Sequence, residues 1–232
     1  MTQAATRDVK ADGRDARWDE HRQNRHERIL TTAIAMIDAG KRDAGVAAIA
    51  AEAGVPRSVV YRLFKDREDL DEQIRQRIVD GMVADLAPAL VVRGTIRAAV
   101  RRAVSTYVEW VQEHAELHRF LGAGSANHPE HGSPAMFGGK AGFVRMATEI
   151  IESLLVPMTA PRKVPKGLTA DLATGLVGMT DSVVNGWLAA DPATRSSAAG
   201  LTRFLSEAAC GQIAGAAAVA KLEVDLDRPL PA

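Results

Sequence analysis

Cysteine is almost missing from this 232-residue chain: Cys210 stands alone, so no internal disulfide can form and a reducing cytoplasmic setting is expected. Aromatic residues are scarce at 4%. No uninterrupted apolar run approaches the roughly 18 residues of a membrane span, so no membrane association is expected. Neither charge dominates, with 29 Lys+Arg against 29 Asp+Glu, which excludes a basic tail protein and an acidic disordered chain. The first 28 residues are charged throughout and lack an apolar stretch, so a signal peptide is not expected. Repeats are absent, as is any alternating run that demands a strand. What remains is a 47% hydrophobic share in which alanine is prominent. Alanine favours helix and fills sheets poorly, so the chain reads as all-α, with about nine helices.

Residues 1–17 alternate charges without apolar periodicity and read as a disordered arm. Ile29, Leu30, Ala33, Met36 and Ile37 then fall on one helical stripe, which Gly40 ends. Two short helices follow, residues 46–53 and 57–64, around the tight turn Gly54-Val55-Pro56. Ile49, Val60 and Phe64 are their inward contacts. This is a helix-turn-helix, placed in a DNA-binding domain over residues 18–66. A longer helix spans 67–86, with Leu70, Ile74, Ile78 and Met82 at i,i+4 spacing and Pro88 beyond it. Residues 95–118 form a long amphipathic helix, and 122–142 are a Gly/Pro/His-rich interruption, either loop or broken helix. Residues 143–155 are helical again, and 157–166 are an exposed linker. Two last helices, 170–189 and 193–220, complete a C-terminal helical part over 67–221. The tail 222–232 is expected to be loose.

Electrostatics support nucleic acid as the partner of the helix-turn-helix. Between Arg22 and Lys65 there are eight basic residues and four acidic ones, on a chain that is neutral overall. Such a local excess supplies the sequence-independent part of DNA affinity, whereas alone it would describe an ordinary solvated face. With Val60 and Phe64 committed inward, Arg57, Ser58, Val59, Tyr61 and Arg62 are expected to face outward. Arg57 can pair with guanine and Val59 can pack on a thymine methyl. Lys65 reads as a backbone clamp, as does Tyr61 unless it is a half-buried packing residue.

From Ile29 to Leu70 the order of features resembles the DNA-binding domain of TetR-family transcriptional regulators. The matching residues are Ile29-Leu30, Ala33, Gly40, Ile49-Ala50, Ala53-Gly54-Val55, Tyr61, Phe64, Glu68 and Leu70. The resemblance implies a homodimer with two N-terminal reading heads, a C-terminal ligand-binding and dimerisation domain over residues 67–221, and a double-stranded DNA operator. It tips Tyr61 to a phosphate contact. Two positions depart from the family. Val46 stands where a threonine usually caps the first short helix and can touch phosphate, with Gly45 as a weaker cap. Arg67 replaces the usual lysine and is expected to keep its phosphate contact.

The C-terminal half offers two further sites. Leu172, Leu176, Met179, Val183 and Trp187, then Leu201, Leu205, Ala208, Ala209 and Ile213, form apolar stripes beside Gly175, Gly178, Gly211 and Gly215. They read either as an intrachain core or as the four-helix dimer bundle that the resemblance implies. Met82, Leu86, Tyr107, Trp110, Phe120, Met136, Phe137, Phe143, Met146 and Met179 read either as core or, by the resemblance, as the lining of a pocket for a small lipophilic effector. His114, His118 or Arg97 would meet a polar or anionic head, with a way in near residues 122–142. Trp110 would report occupancy.

Enzymatic motifs fail. Gly139-Lys140 lacks the spacing of a phosphate-binding loop, and residues 122–126 lack the second glycine of a nucleophile elbow. His114, His118, His128 and His131 lack partners for a closed metal site, so no metal and no cofactor are expected. The expectation is a ligand-responsive regulator, a repressor released by its effector. The alternative is a helical adaptor whose helix-turn-helix docks protein.

Overall fold

The computed structural model describes residues 5–122, 133–159 and 164–230. Among them the chain is all-helical: α1 (Ala5–Asp38), α2 (Val46–Glu52), α3 (Arg57–Leu63), α4 (Arg67–Leu86), α5 (Ile96–Glu113), α6 (Ala115–Gly122), α7 (Pro134–Thr159), α8 (Leu168–Ala189) and α9 (Ala198–Val219). A short 3-10 turn, Ala87–Leu90, follows α4.

The head is built by α1 to α3. Ile29, Leu30, Ala33 and Ile37 of α1 are buried with Ile49 and Ala50 of α2 and Val60 at the centre of α3. Gly40, at φ +84°, ends α1: its N–H bonds to Ile37 O (2.8 Å) and that of Lys41 to Met36 O (2.9 Å). Gly54, at φ +62°, turns α2 into α3 in the same left-handed region. Asp66 then caps α4 by accepting from Asp69 N–H (2.8 Å). The α4 helix packs against α1 in the head and against α5, α6 and α7 in the body.

Several boundaries differ from the sequence reading. The expected disordered arm is helical from Ala5 onward. It contains no proline and is rich in Ala and Arg, so a helix nucleated by the buried turns of α1 propagates backwards through it. The long helix expected over 95–118 is two, because His114 leaves helical geometry (φ −120°, ψ 42°) and restarts the chain as α6. The Gly/Pro/His-rich stretch is helical from Pro134, while residues 123–132, including His128 and His131, lie outside the described residues. Residues 157–159 of the expected linker still belong to α7, and 160–163 lie outside the described residues. In the last loop, Trp187 Nε1–H donates to Ser196 O (2.7 Å) and Arg195 lies 3.9 Å over the Trp187 ring, which delays α9 to Ala198. The tail is docked. Arg97 N–H bonds to Leu226 O (3.0 Å), Leu230 N–H bonds to Gly94 O (2.8 Å), and Arg97 pairs with Asp227 (2.9 Å).

Around α5 the body closes, with α9 on one side and α7 and α8 packed against each other. Leu172, Leu201, Leu205 and Ala209 of the two last helices point into the chain's own core. Their stripe is therefore intrachain, and the outward faces carry the exposed Phe204, Gly211, Gly215 and Val219 instead. Leu205, fully buried, tests the core and not an interface. Leu205→Ala is expected to cost about 2–5 kcal/mol in urea denaturation. An unchanged midpoint would show that this face of α9 is not packed.

Candidate nucleic-acid interface and ligand cavity

Helix α3 has seven residues, and its inward arc is wider than the sequence suggested. Val59 (9% exposed) is buried beside Val60, so it packs into the head and is not free to meet a thymine methyl. Val46 is also buried at the first turn of α2, which removes it from the contact surface and leaves Gly45 as a cap without a side chain. Arg57, Ser58, Tyr61, Arg62 and Lys65 are exposed. Arg57 and Tyr61 lie one turn apart and are preorganised: Arg57 Nη2 donates to Tyr61 Oη (3.0 Å) with its guanidinium 5.2 Å from the ring centre. Arg67 is turned inward. Its Nε donates to Asp71 (2.9 Å) and its Nη1 to Ala44 O (2.6 Å), tying α4 to the segment before α2. That geometry replaces the expected phosphate contact.

A polar chain behind α3, missed in the sequence, sets its angle. His26 stacks on Phe64 (centroids 4.8 Å apart) and donates from Nε2 to Gln73 Oε1 (2.7 Å). Gln73 in turn donates to Asp69 (2.9 Å), which also accepts from Lys65 N–H (2.8 Å). Burial opposes charge on Asp69, but the bonds from Gln73 and Lys65 outweigh it and hold the carboxyl below its ordinary range. A histidine on a charged stretch of α1 carries no local signal for this role.

The body encloses a cavity of about 260 Å³, close to the lower end of small-molecule pockets. Its wall is Val79, Met82 and Leu86 of α4, Val100, Val104 and Tyr107 of α5, His118 and Leu121 of α6, Met136, Gly139, Lys140 and Phe143 of α7, and Leu176, Val177, Thr180 and Asp181 of α8. Gly139 permits the close α4–α7 approach, since a Cβ there would lie 2.6 Å from Val79 Cγ1. Of the expected lining, Met82, Leu86, Tyr107, Met136 and Phe143 are in the wall, while Phe137 is exposed. Trp110, His114, Phe120, Met146 and Met179 are outside the wall. Trp110 is core beside His114, Phe120 packs under the Arg75 guanidinium (5.0 Å), and Met179 Sδ accepts from Gln212 (2.9 Å). Arg97 is tied to Glu207 and Asp227, away from the cavity. Of the three groups expected to meet a polar head, only His118 lines the cavity, and its ring shares a 3.0 Å hydrogen bond with Tyr107 Oη.

Helix α6 links cavity and head. Its start is held by His114 Nδ1 donating to Asp38 of α1 (3.0 Å) and by the Arg42–Glu116 pair (2.8 Å), while His118 one turn later faces the cavity. A second link runs through α4, where Glu72 accepts from Ser133 Oγ (2.7 Å) and from Ala135 N–H at the first turn of α7.

Residues 29–74 match the family model for bacterial regulatory proteins of the tetR family. The head and the start of α4 are thus similar to the tetR-family segment. It is 32% identical over 119 residues to an uncharacterised HTH-type transcriptional regulator of Mycobacterium tuberculosis, covering 51% of each chain. It is also 26% identical over 99 residues to the HTH-type transcriptional activator FasR of Mycolicibacterium smegmatis, covering 43% of this chain and 45% of that one. The chain thus spans about half the length of the curated relatives it matches. The fold extends further than the sequence likeness. A TetR-family regulator from Streptomyces coelicolor superposes with a TM-score of 0.65 at 21% identity, over 85% of this chain and 83% of that one. The fatty acid degradation regulator FadR from Bacillus halodurans gives 0.60 at 15% identity, over 80% and 97%.

Within this TetR-type body, burial lowers the pKa of His118 below its ordinary 6.5, against the nearby charge of Asp181 and with that of Arg119. The unfolded chain therefore binds a proton that the folded chain resists as the pH falls below 6.5. Stability is expected to decline from pH 7 towards pH 5, and His118→Gln should flatten that decline in urea midpoints. An equal slope in both proteins would mean that burial does not perturb this ring.

Proposed function

We propose that this protein is a transcriptional regulator that binds a pseudo-palindromic DNA operator as a homodimer and is released by a small apolar effector. The observation that carries the reading is the exposed polar face of α3, where Arg57, Ser58, Tyr61 and Arg62 stand outward over a locked Val60–Phe64 core. Arg57 is the base reader, and Tyr61 and Lys65 are backbone clamps. The names of the matched relatives, all HTH-type regulators, support the class. FasR is named an activator; the direction proposed for this chain is repression.

For the effector to release DNA, it must bind the DNA-incompetent arrangement better, since equal affinity for both arrangements shifts nothing. A tenfold loss of operator affinity corresponds to about 1.4 kcal/mol of coupling. Helices α4 and α6, each in contact with both cavity and head, are the elements through which occupancy would change the separation of the two heads.

The assembly proposed is a C₂ dimer through the outward faces of α8 and α9, where the exposed Phe204 shares one face of α9 with the small Gly211 and Gly215. Phe204→Glu should yield a folded monomer in sedimentation, whereas a monomeric wild type at micromolar concentration would remove the dimer. For DNA, gel shifts on the chain's upstream region at several salt concentrations should weaken with salt. Arg57→Ala should cost about 1–3 kcal/mol at one base pair, and Tyr61→Phe should weaken all sequences alike. Unchanged affinity in both variants, or no salt-dependent shift in the wild type, would overturn the DNA reading in favour of a protein-docking head. A reporter gene that falls silent on effector addition would instead reverse the proposed direction.

A further inference from the structure

The polar end of the cavity is sparse, and its hydrogens can be counted. Tyr107 and a neutral His118 bring one O–H and one N–H to the wall, and their mutual 3.0 Å bond uses one of them. If Tyr107 donates to Nε2, the hydrogen left over is on Nδ1. If Nε2–H donates to Tyr107, the phenolic hydrogen is left over. In both arrangements one donor remains, and Nδ1 is buried with no hydrogen-bond partner among the described residues. Thr180 adds nothing, since its Oγ1 donates to Leu176 O in its own helix (2.8 Å).

Charge is equally constrained. Lys140 is the one cation among the described lining residues, and its Nζ is 3.0 Å from Asp181 Oδ2. Asn185 Nδ2 donates to the other oxygen, Oδ1 (3.0 Å), so the Asp181 carboxylate is held in place on both sides. The lysine charge is cancelled within the wall. Burial keeps the His118 ring neutral and, with the Asp181 charge beside it, raises the Tyr107 pKa, so neither of these groups supplies a compensating charge. An ionised head would lose its hydration here, find one donor, and sit near a carboxylate.

We propose that the cavity selects an uncharged amphiphile, a short alkyl chain ending in a ketone, ester or alcohol oxygen that accepts the spare Tyr107/His118 hydrogen, and that the Lys140–Asp181 pair excludes the corresponding free carboxylate. This rests on the cavity being the effector site of the proposed regulator, but its test does not require DNA.

Isothermal titration of the full chain at pH 7.5 with 2-decanone, 1-decanol and sodium decanoate reads the selectivity directly. The ketone and alcohol are expected to bind at least tenfold more tightly than decanoate. Asp181→Asn, which frees the lysine charge while keeping side-chain shape, should raise decanoate affinity at least tenfold and leave the ketone within twofold. Decanoate binding as tightly as the ketone in the wild type would overturn the proposal, as would an Asp181→Asn variant that binds all three in unchanged ratio. Tyr107→Phe in combination with His118→Phe removes the spare donor and should bring 2-decanone to the affinity of n-decane; a ketone advantage that survives would place the head elsewhere. Binding by none of the three wild-type probes overturns this proposal together with the cavity reading, while the operator shifts stand or fall separately.

Discussion

Helix α4 is both a wall of the reading head and a wall of the cavity, and the two duties cannot be separated. Its 20 residues form a rod of about 30 Å. At the first turn, Asp66 and Asp69 fix its start beneath α3, and Arg67 ties it to Ala44. At the far end, Val79, Met82 and Leu86 face the cavity. Packed cores switch between discrete arrangements more readily than they deform continuously, so a shift at one end of such a rod is carried to the other. Gly139 tightens this constraint by seating α7 directly on Val79.

Precision at the head comes from polar groups behind the apolar core. Ile29, Ile49, Val60 and Phe64 hold α1 to α3 together, but apolar burial is non-directional and would tolerate small rotations of a seven-residue helix. The His26–Gln73–Asp69–Lys65 chain supplies the direction. The His26–Gln73 bond ties α1 to α4, Gln73–Asp69 runs one turn along α4, Asp69–Lys65 ties α4 to the turn after α3, and His26 adds a face-on contact to Phe64. Arg57 and Tyr61 are then presented at a fixed angle, already bonded to each other. A ligand that accepts from Arg57 must compete with the Tyr61 hydroxyl, which makes the pair a unit.

The body combines stability with an unfilled space. Its apolar side chains could have closed into solid packing, yet Val100, Val104, Tyr107 and Phe143 leave space between α5 and α7. The structure around that space is held by contacts placed outside it: the Trp187–Ser196 and Arg195–Trp187 contacts at the α8–α9 connection, the tail strapped to the start of α5, and Glu72 at the start of α7. These peripheral ties keep the walls in position without filling the middle.

Local chemistry was enough to read the helical class, the helix-turn-helix, the Gly40 and Gly54 turns and the outward Arg57, Ser58, Tyr61 and Arg62, because each depends on residues within one or two turns of one another. Five of the cavity residues, Met82, Leu86, Tyr107, Met136 and Phe143, were legible for a similar reason, as large apolar groups on the middle helices. The rest was settled between elements distant in sequence. Val59 went inward because α3 packs over a wider arc than i,i+4 spacing implies, and Arg67 turned from a phosphate to Asp71 and Ala44 because the fold brings the end of one loop beside α4. His114 and His118 share one helical spacing in the sequence, but the break at His114 sends the first to Asp38 of α1 and the second to Tyr107 and the cavity. Trp110, on the same helix as Tyr107, is buried beside His114 and not in the space it was expected to line. Periodicity along a helix states which residues share a face. What that face meets is a property of the partners that tertiary packing brings to it, and here those partners lie as many as 130 residues away.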